Sequence, residues 1–517
     1  MTAHLPILMA IIPLLVGMAA PLLVLLSAPL ARGVVLLAAL ATLGCSAATL
    51  IRVLDAGRAW HYYLAGWPPP WGIEYVIDPL SGVMTTLVSF FALAALIYAG
   101  PYLEARRALE KGTFYALFLL TVGGLMGMCV TGDLFNLFVF LEICSLAAYA
   151  LIAAGGRRSL VAALRYLIIG SVAASMYLLG IGYLYVMTGS LNMADVATLL
   201  PPLLDSPAGI LAVVLIAAGL AIKVALFPLH GWLPDTYSYT PAPVLGFIAA
   251  VMTKVSAYAL YRIFYFVAEA AGPVSATLEV LGWLAAAGIL FGSIMAIAQR
   301  DFWRMLAYSS VGQVAYIILG LAIGNSLALI GAVLHIISHA VVKGLLFFIA
   351  GSIKWQTGTR RIADFAGLAR QMPLTMGIFL VAAMSMIGVP PLIGFFGKWY
   401  LVLGSIEAGA WGFVAVLIIS TLLTAVYFFR VIERVYELDK LRPEIEYGSE
   451  AQGLPSETSE TAGRPLRVRP GTGGRLELPA TMLVPVILLG VSVILLGIYN
   501  ELLVTNVIQY ALPWRLP

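Results

Sequence analysis

Apolar runs of about 20 residues recur along nearly the whole chain, and this repetition constrains the fold more than any other feature of the sequence. A helix of that length crosses the hydrocarbon core of a bilayer. Hydrophobic residues make up 62% of the 517 residues and charged residues only 10%, whereas soluble domains carry about 25% charged residues. The sequence therefore predicts an all-α polytopic membrane protein and excludes a soluble globular one.

The hydrophobic pattern predicts about fourteen transmembrane helices. Basic residues concentrate in the loops after odd-numbered spans, for example Arg106, Arg107 and Arg157. By the positive-inside rule these loops face the cytoplasm, so both termini are expected outside a cell (inner) membrane. The predicted spans are roughly 5–26, 33–52, 79–99, 114–131, 134–153, 164–187, 208–227, 242–266, 277–298, 303–323, 327–350, 374–404 (interrupted), 411–431 and 480–503.

The segment 437–479 differs from the rest because it is rich in Glu, Arg, Pro, Ser and Gly. It has too little apolar surface to offset the entropy of ordering, so it is expected to form a flexible cytoplasmic loop. A docking strip for a partner is the alternative. The net charge of +4 is small for this length and gives no indication of nucleic-acid binding.

The first of two helix breaks lies where Lys223 ends an apolar run and Pro228 follows. A proline removes a backbone donor and clashes with the preceding turn, so the helix must break or kink there. A lysine at membrane depth costs about 2.5–3.5 kcal/mol, and broken backbone persists there only against protein or a water-filled cavity. The charge and the break together indicate an ion path.

A second break, at Pro390 and Pro391, interrupts span twelve, five spans after the first. Broken helices in matching positions are typical of transporters built from inverted repeats. Spans five and ten also open alike, with Asp133-Leu-Phe-Asn and Asp301-Phe-Trp-Arg. The predicted division is therefore N-terminal helices 1–3 in 1–113, two inverted five-helix repeats in 114–266 and 267–436 with helices 7 and 12 broken, the loop 437–479, and a C-terminal helix 14 in 480–517.

Two further charges lie within predicted spans, Glu142 in span five and Lys254 in span eight. A carboxylate at that depth must pair, contact water or take a proton, and Lys223 is its expected partner. The alternative is a structural pair that only packs helices. Burial and a neighbouring ammonium group both favour proton release from Lys254, unless its side chain snorkels to an interface.

Span eleven carries His335, His339 and Lys343 at i+4 spacing, which places all three along one helix face. Histidine titrates near neutral pH, so this face is suited to a proton relay. A structural hydrogen-bonded stripe and a metal site are the alternatives. No HExxH glutamate accompanies the histidines, and we predict no metal.

Lys398, beyond the second break, completes an axial row of ionisable side chains. His230 and Asp235 follow the first break. They are either a possible entry point for protons or ordinary polar residues of a loop. Glu74 and Asp78 precede span three and are expected at the membrane interface. The predicted row consists of Glu142, Lys223, Lys254, His335, His339, Lys343 and Lys398.

At these residues the chain resembles the antiporter-like subunits of Mrp-type multisubunit Na⁺/H⁺ antiporters, membrane-bound hydrogenases and the proton-pumping arm of respiratory complex I. The resemblance spans nearly the whole sequence and is strongest to the D-type subunits of Mrp antiporters, because of the run from Gly132 to Glu142 and the lysine at 398. It implies two inverted five-helix repeats, half-channels joined by a polar axis, and activity only within a larger complex.

The predicted function is proton translocation in a subunit of a multisubunit monovalent cation (Na⁺)/H⁺ antiporter, an ion transporter rather than an enzyme. The alternatives are a proton-pumping subunit of a complex I-like NADH/ferredoxin or hydrogenase complex, and a non-transporting scaffold. A solitary carrier for an organic solute is disfavoured because the polar residues form a row rather than a pocket. The chain itself is expected to bind no cofactor, and Na⁺ is assigned to a partner because Na⁺ prefers oxygen ligands and the row is mostly nitrogen.

Overall fold

The apolar runs fold into helices because a backbone surrounded by lipid must satisfy its hydrogen bonds internally. The computed structural model describes residues 4–270, 272–437 and 477–512. Residues 438–476 of the predicted flexible loop lie outside this described part. The helices are α1 (Leu5–Leu26), α2 (Ala28–Ala56), α3 (Pro79–Tyr98), α4 (Gly100–Glu104), α5 (Ala108–Val130), α6 (Leu134–Ala153), α7 (Arg157–Thr188), α8 (Met193–Leu199), α9 (Pro207–Val224), α10 (Trp232–Tyr239), α11 (Ala242–Tyr261), α12 (Pro273–Ala298), α13 (Phe302–Ile323), α14 (Ser326–Thr357), α15 (Leu368–Gln371), α16 (Pro373–Ile387), α17 (Ile393–Glu407), α18 (Trp411–Tyr436), α19 (Ala480–Ile498) and α20 (Asn500–Leu503).

Thirteen helices in the described residues are long and apolar enough to cross a membrane. The shorter pair α16 and α17 forms one further, interrupted span, so the prediction of about fourteen spans with broken helices 7 and 12 is confirmed. The fourth span begins at Ala108 rather than at 114, because the polar first turn of α5 extends the helix beyond its apolar run.

A short antiparallel hairpin joins α2 to α3 and is a β element that the sequence patterns did not reveal. Its strands are β1 (Trp60–Tyr63) and β2 (Glu74–Ile77), with Trp60 opposite Ile77. Each strand has only four residues, so neither produces a periodicity that stands out between two long apolar runs.

The centre of the bundle is formed by α11 and α14, which pack against each other. The most apolar stretch of each is 100% buried inside the protein, compared with 33% for α1, α2 and α18. The two central helices carry Lys254, His335, His339 and Lys343. These four ionisable side chains of the predicted row therefore lie in the interior of the bundle, while α1, α2 and α18 lie at its periphery.

Two halves of the chain repeat the same local arrangement. Asp133 and Asp301 each cap a helix by accepting a hydrogen bond from the backbone N–H three residues on. Each also forms an isolated antiparallel bridge, to Asn192 and to Arg361 respectively. The long helices α7 and α14 both contain 32 residues and both end at a glycine with positive φ. These matches agree with five-span repeats, and an odd number of spans gives the two repeats opposite orientations.

Glu477 connects the start of the last span to the second repeat. Its carboxylate accepts hydrogen bonds from the backbone N–H of Leu374 at 2.7 Å and of Thr375 at 3.3 Å, and from the Thr375 hydroxyl at 2.8 Å. These N–H groups belong to the first turn of α16 and have no partner within that helix. Glu477 therefore acts as a remote N-cap.

Replacing Glu477 with alanine should lower the stability of the purified protein by about 1 kcal/mol, the usual effect of removing a helix cap. The melting temperature, measured in detergent, reports the change. Glu433→Ala, which removes an exposed carboxylate from α18, is the matched control. Equal melting temperatures for the two variants would contradict the capping role.

Candidate functional site

Lys223 lies in the last turn of α9, directly before the first break. Its Nζ donates to Ser145 Oγ at 2.9 Å and to Tyr149 Oη at 3.2 Å, and the residue is 3% exposed. The negative end of the helix dipole lies at this turn and favours a positive charge there. Trp232 Nε1 donates to the carbonyl of Ile222 at 2.9 Å, which satisfies one acceptor that the break leaves free. The break is therefore surrounded by other parts of the protein, and the buried Lys223 side chain contacts α6.

Glu142 is not the hydrogen-bond partner of Lys223, contrary to the expectation from sequence. Ser145 and Tyr149 lie three and seven residues after Glu142 on α6, so the lysine contacts the same helix further along. Val139 and Leu146, on either side of Glu142 at helical spacing, are exposed. Glu142 is half-buried as a residue, and its Oε1 is buried without a hydrogen-bond partner among the described residues. The carboxylate therefore lies at the edge of an outward face of α6.

Lys254 and Lys343 are both 0% exposed in the centre of the bundle. Lys254 Nζ donates to the carbonyl of Ala249, and Lys343 Nζ donates to the carbonyl of Leu306 at 3.0 Å. Neither ammonium group reaches an interface, so Lys254 does not snorkel. The two lysines are close enough to interact electrostatically with each other and with His339.

His335 and His339 stack along α14 with ring centroids 5.9 Å apart. All four ring nitrogens are buried, and none has a hydrogen-bond partner in the described part of the chain. A cavity of about 10 Å³ lies between the two histidines and Lys398, with Gln313 and Ser385 in its wall. That volume is about the size needed for one water molecule.

Lys398 lies one turn into α17, just after the second break. Its Nζ donates to the carbonyls of Met386 at 2.8 Å and Ile387 at 3.2 Å, which the end of α16 leaves without helical partners. The Tyr316 ring lies beside both Lys398, at 5.4 Å, and His335, at 5.2 Å between centroids. Each helix break therefore holds one buried lysine next to a tyrosine.

The contacts divide the predicted row into two groups. Lys254, His335, His339, Lys343 and Lys398 interact with one another, directly or through shared neighbours. Lys223 interacts instead with Ser145, Tyr149 and, electrostatically, Glu142. No described contact joins Lys223 to Lys254, although α9 packs against α11.

The structure separates the two predicted inlet residues. His230 packs between Phe227 and Phe291, with ring centroids at 5.5 and 4.8 Å. The Asp235 carboxylate is held by Arg165 at 2.7 Å and Arg304 at 3.6 Å. Asp235 thus joins α7 to α13, the first repeat to the second.

Glu74 and Asp78 line a separate cavity of about 270 Å³ near the hairpin. Asp78 forms an ion pair with Arg262, and Glu74 pairs with His61 at 3.2 Å. Both carboxylates therefore lie away from the row.

Sequence reasoning did not identify the hydroxyl groups that hold the lysines. Ser145, Tyr149 and Tyr316 are not among the residues predicted for the row. The signal for the first two was present in the spacing, because Ser145 and Tyr149 lie on the same helix face as Glu142. No group of three or more His, Cys, Asp or Glu side chains suited to a metal occurs within residues 4–270, 272–437 and 477–512.

Gly170 of α7 leaves the space that the Tyr149 hydroxyl occupies. A Cβ at this position would lie 1.9 Å from Tyr149 Oη and 3.4 Å from Lys223 Nζ, so Gly170→Ala must displace the hydroxyl. Because misplacement of a reacting group by about 1 Å is costly, transport should fall about tenfold. Ion transport in membrane vesicles measures the effect.

Gly182→Ala is the control on the same helix, since a Cβ there meets no atom within 4 Å. Adding Tyr149→Phe to Gly170→Ala removes the clashing oxygen and should restore part of the activity. Equal activity of the two single glycine variants would show that the Tyr149 position is unimportant.

Comparison with known proteins places the chain in one family. The family model described as "NADH:quinone oxidoreductase/Mrp antiporter, TM" matches residues 131–424. NADH-quinone oxidoreductase subunit N of Desulforudis audaxviator is 69% identical over 518 residues, covering 100% of both chains. The D-type subunit of a Na⁺/H⁺ antiporter from Alkalihalophilus pseudofirmus is 36% identical over 343 residues, covering 66% of this chain and 69% of the relative.

A solved structure extends the similarity to the whole fold. A chain of the membrane-bound sulfane sulfur reductase, an archaeal respiratory membrane complex, superposes with a TM-score of 0.87 at 28% identity. The match covers 98% of this chain and 97% of that one. The chain therefore belongs to the family of NADH:quinone oxidoreductase and Mrp antiporter membrane subunits.

Proposed function

We propose that this antiporter-like subunit moves protons along its buried row of basic side chains. The observation that carries the proposal is that Lys223, Lys254, Lys343 and Lys398 are buried and that every hydrogen-bond partner described for them is a neutral hydroxyl or carbonyl. A permanent charge without a counter-ion is costly at membrane depth. Lysines held in this way are suited to losing and regaining a proton.

The proposed path begins at Lys223 and crosses the bundle to Lys398. Protons would pass from a half-channel in the first repeat to Lys223, then to Lys254, the two histidines and Lys398. Lys343 lies beside Lys254 and His339 and belongs to the same buried row. The step from Lys223 to Lys254 requires an intervening water molecule, because no described side chain joins the two. Between the histidines and Lys398 the cavity of about 10 Å³ supplies room for one.

Glu142 acts in this scheme as an electrostatic gate. Glu142 is only half-buried and lies next to the exposed Val139 and Leu146 of α6, so it is closer to the surface that a neighbouring subunit can contact than the interior of the row is. When the carboxylate is charged, it favours a protonated Lys223. When a partner subunit withdraws or neutralises it, the lysine releases its proton inward.

Replacing Glu142 with glutamine should reduce transport about tenfold, because it removes the carboxylate that interacts electrostatically with Lys223. A tenfold change corresponds to about 1.4 kcal/mol. The rate and stoichiometry of exchange in vesicles provide the measurement. Glu279→Gln, an exposed carboxylate of α12, serves as the control. An unchanged rate and stoichiometry in Glu142→Gln would count against the gate.

The driving reaction has two candidates, and separate observations favour each of them. The full-length identity of 69% to a subunit named for an NADH-quinone oxidoreductase favours a redox-driven complex. The lysine at 398 and the relative named as a Na⁺/H⁺ antiporter subunit favour an Mrp-type antiporter. In both cases the partners are other membrane subunits. In the second case Na⁺ passes through one of them, because the buried row offers mostly nitrogen.

The proposal includes the domain division and the orientation. The repeats occupy 114–266 and 267–436, preceded by the N-terminal helices and followed by the loop 437–479 and the C-terminal helix. The loops after odd-numbered spans face the cytoplasm of a cell (inner) membrane, and both termini lie outside. The positive-inside distribution of arginine and lysine supports this orientation.

Measurements of ΔpH in inverted membrane vesicles that carry the whole complex distinguish the two candidate driving reactions. A preformed ΔpH that collapses on addition of NaCl identifies cation/proton antiport. A gradient that builds on addition of NADH or reduced ferredoxin, with no response to Na⁺, identifies a redox-driven pump. If neither treatment changes ΔpH, the scaffold interpretation replaces proton transport.

A further inference from the structure

An open cavity of about 400 Å³ lies where α1 leads into α2 and α4 leads into α5. None of the residues that line it belongs to the buried row. Arg32, Lys111 and Tyr115 supply its polar wall, while Leu36 and Leu103 supply part of its apolar wall. Both connections join consecutive membrane spans at the same end of the bundle. The cavity therefore lies at a membrane–water interface.

The polar groups of this cavity have unused hydrogen-bonding capacity. Tyr115 is 5% exposed and lines the cavity, yet no described residue bonds its hydroxyl. Arg32 has no acidic partner in the part of the chain that the structure describes. Lys111 Nζ donates only to the backbone carbonyl of Glu104, at 3.3 Å.

Nearby acidic groups do not neutralise these cations. The Glu110 carboxylate is engaged by Arg107 at 2.7 Å and by Arg106 at 3.4 Å. Glu104 is exposed at the rim and forms no ion pair within the described ranges. The α2 N-terminus, where Ser27 makes no side-chain cap, also faces this cavity through Ala28. Its free N–H groups add a further attraction for an anion.

An apolar track leads from the cavity along the outer face of α2. Leu37 and Leu40 are 65% and 54% exposed. Gly33, which lines the cavity, and Gly44, further along the same helix, have open space beside them. A ligand with a charged head at the interface and an extended apolar tail matches this combination.

We propose that this cavity binds the phosphate group of an anionic phospholipid, with an acyl chain lying along α2. Arginine, lysine and a tyrosine hydroxyl are strong donors to phosphate oxygens, and the cationic groups outnumber the one carboxylate at the rim. A free phosphate ion has the same oxygen acceptors as the lipid headgroup, but it has no acyl chain to contact the exposed leucines. The bound lipid links α2 to α5 at the periphery of the bundle and is independent of the proton path.

The test uses the intact complex in nanodiscs that contain a photoactivatable phosphatidylglycerol. Labelling within 28–36 and 100–115 is mapped by mass spectrometry. Arg32→Gln should reduce the labelling of these segments about tenfold, because it removes a charge-assisted contact. Tyr115→Phe keeps the buried ring and should reduce labelling by a smaller factor. Arg107→Gln, an exposed arginine of the same helix end that is paired with Glu110, should label like the wild type.

Four outcomes overturn the proposal. Equal labelling of Arg32→Gln and Arg107→Gln would show that Arg32 binds no headgroup. Equal labelling by a phosphatidylcholine analogue, or complete displacement of the label by inorganic phosphate, would exclude an anionic lipid as the ligand. A Gly33→Cys variant that crosslinks to a partner subunit, in place of lipid, would assign this face to a protein contact.

Discussion

Replacing Lys223 with alanine should lower ion transport by at least about a hundredfold while the complex still assembles. Loss of a positioned proton-transfer group typically costs about that factor or more. The fold should tolerate the change, because the variant removes a buried charge whose burial is unfavourable and leaves only the Ser145 and Tyr149 hydroxyls to find new partners. Vesicle transport measures the activity, and subunit content after purification measures the assembly.

Lys223→Arg separates a proton carrier from a structural charge. Arginine keeps the positive charge and the donors but is not deprotonated in proteins, so a carrier role predicts an inactive variant. A packing role predicts recovery of activity. Lys354→Ala, an exposed lysine at the end of α14, is the control for removal of a lysine in general. Normal transport in Lys223→Ala would remove the proposed path altogether.

The fold was predictable because a backbone surrounded by lipid must satisfy its hydrogen bonds internally, which restricts each span to a helix. Spans and breaks follow from apolar length and from proline, both of which act locally. Pro228 and Pro390-Pro391 therefore marked both interruptions without any tertiary information. The hairpin from Trp60 to Ile77 was missed, since two strands of four residues leave no clear period in an interfacial loop.

The identity of the buried charges was also visible in the sequence, but their partners were not. A charge within an apolar run is evident from composition, whereas its hydrogen bonds depend on how the helices rotate and pack. Sequence distance gave no reason to prefer Ser145 over Glu142 as the acceptor for Lys223, because both lie on the same face of α6. The packing of α9 against α7 decides between them, because it places the Lys223 side chain beside Ser145 and Tyr149 rather than Glu142.

Replacing His335 with glutamine should reduce transport by about a hundredfold, because glutamine retains hydrogen-bonding groups but cannot take up and release a proton near neutral pH. His335 lies between the Tyr316 ring and His339 and shares the small cavity with Lys398, so it connects the centre of the bundle to the second break. The same substitution at His61, a half-exposed histidine of the hairpin, should leave transport unchanged.

The three interpretations of the histidine face give different results in this experiment. A structural hydrogen-bonded stripe predicts an active His335→Gln variant, since the amide can replace the imidazole as donor and acceptor. A metal site predicts that a chelator inhibits the wild type, but the described residues offer no third ligand of the usual kind. A proton relay predicts an inactive His335→Gln variant and a wild type that is insensitive to chelator. The unbonded ring nitrogens favour the relay, because a histidine that serves only packing would be expected to satisfy them.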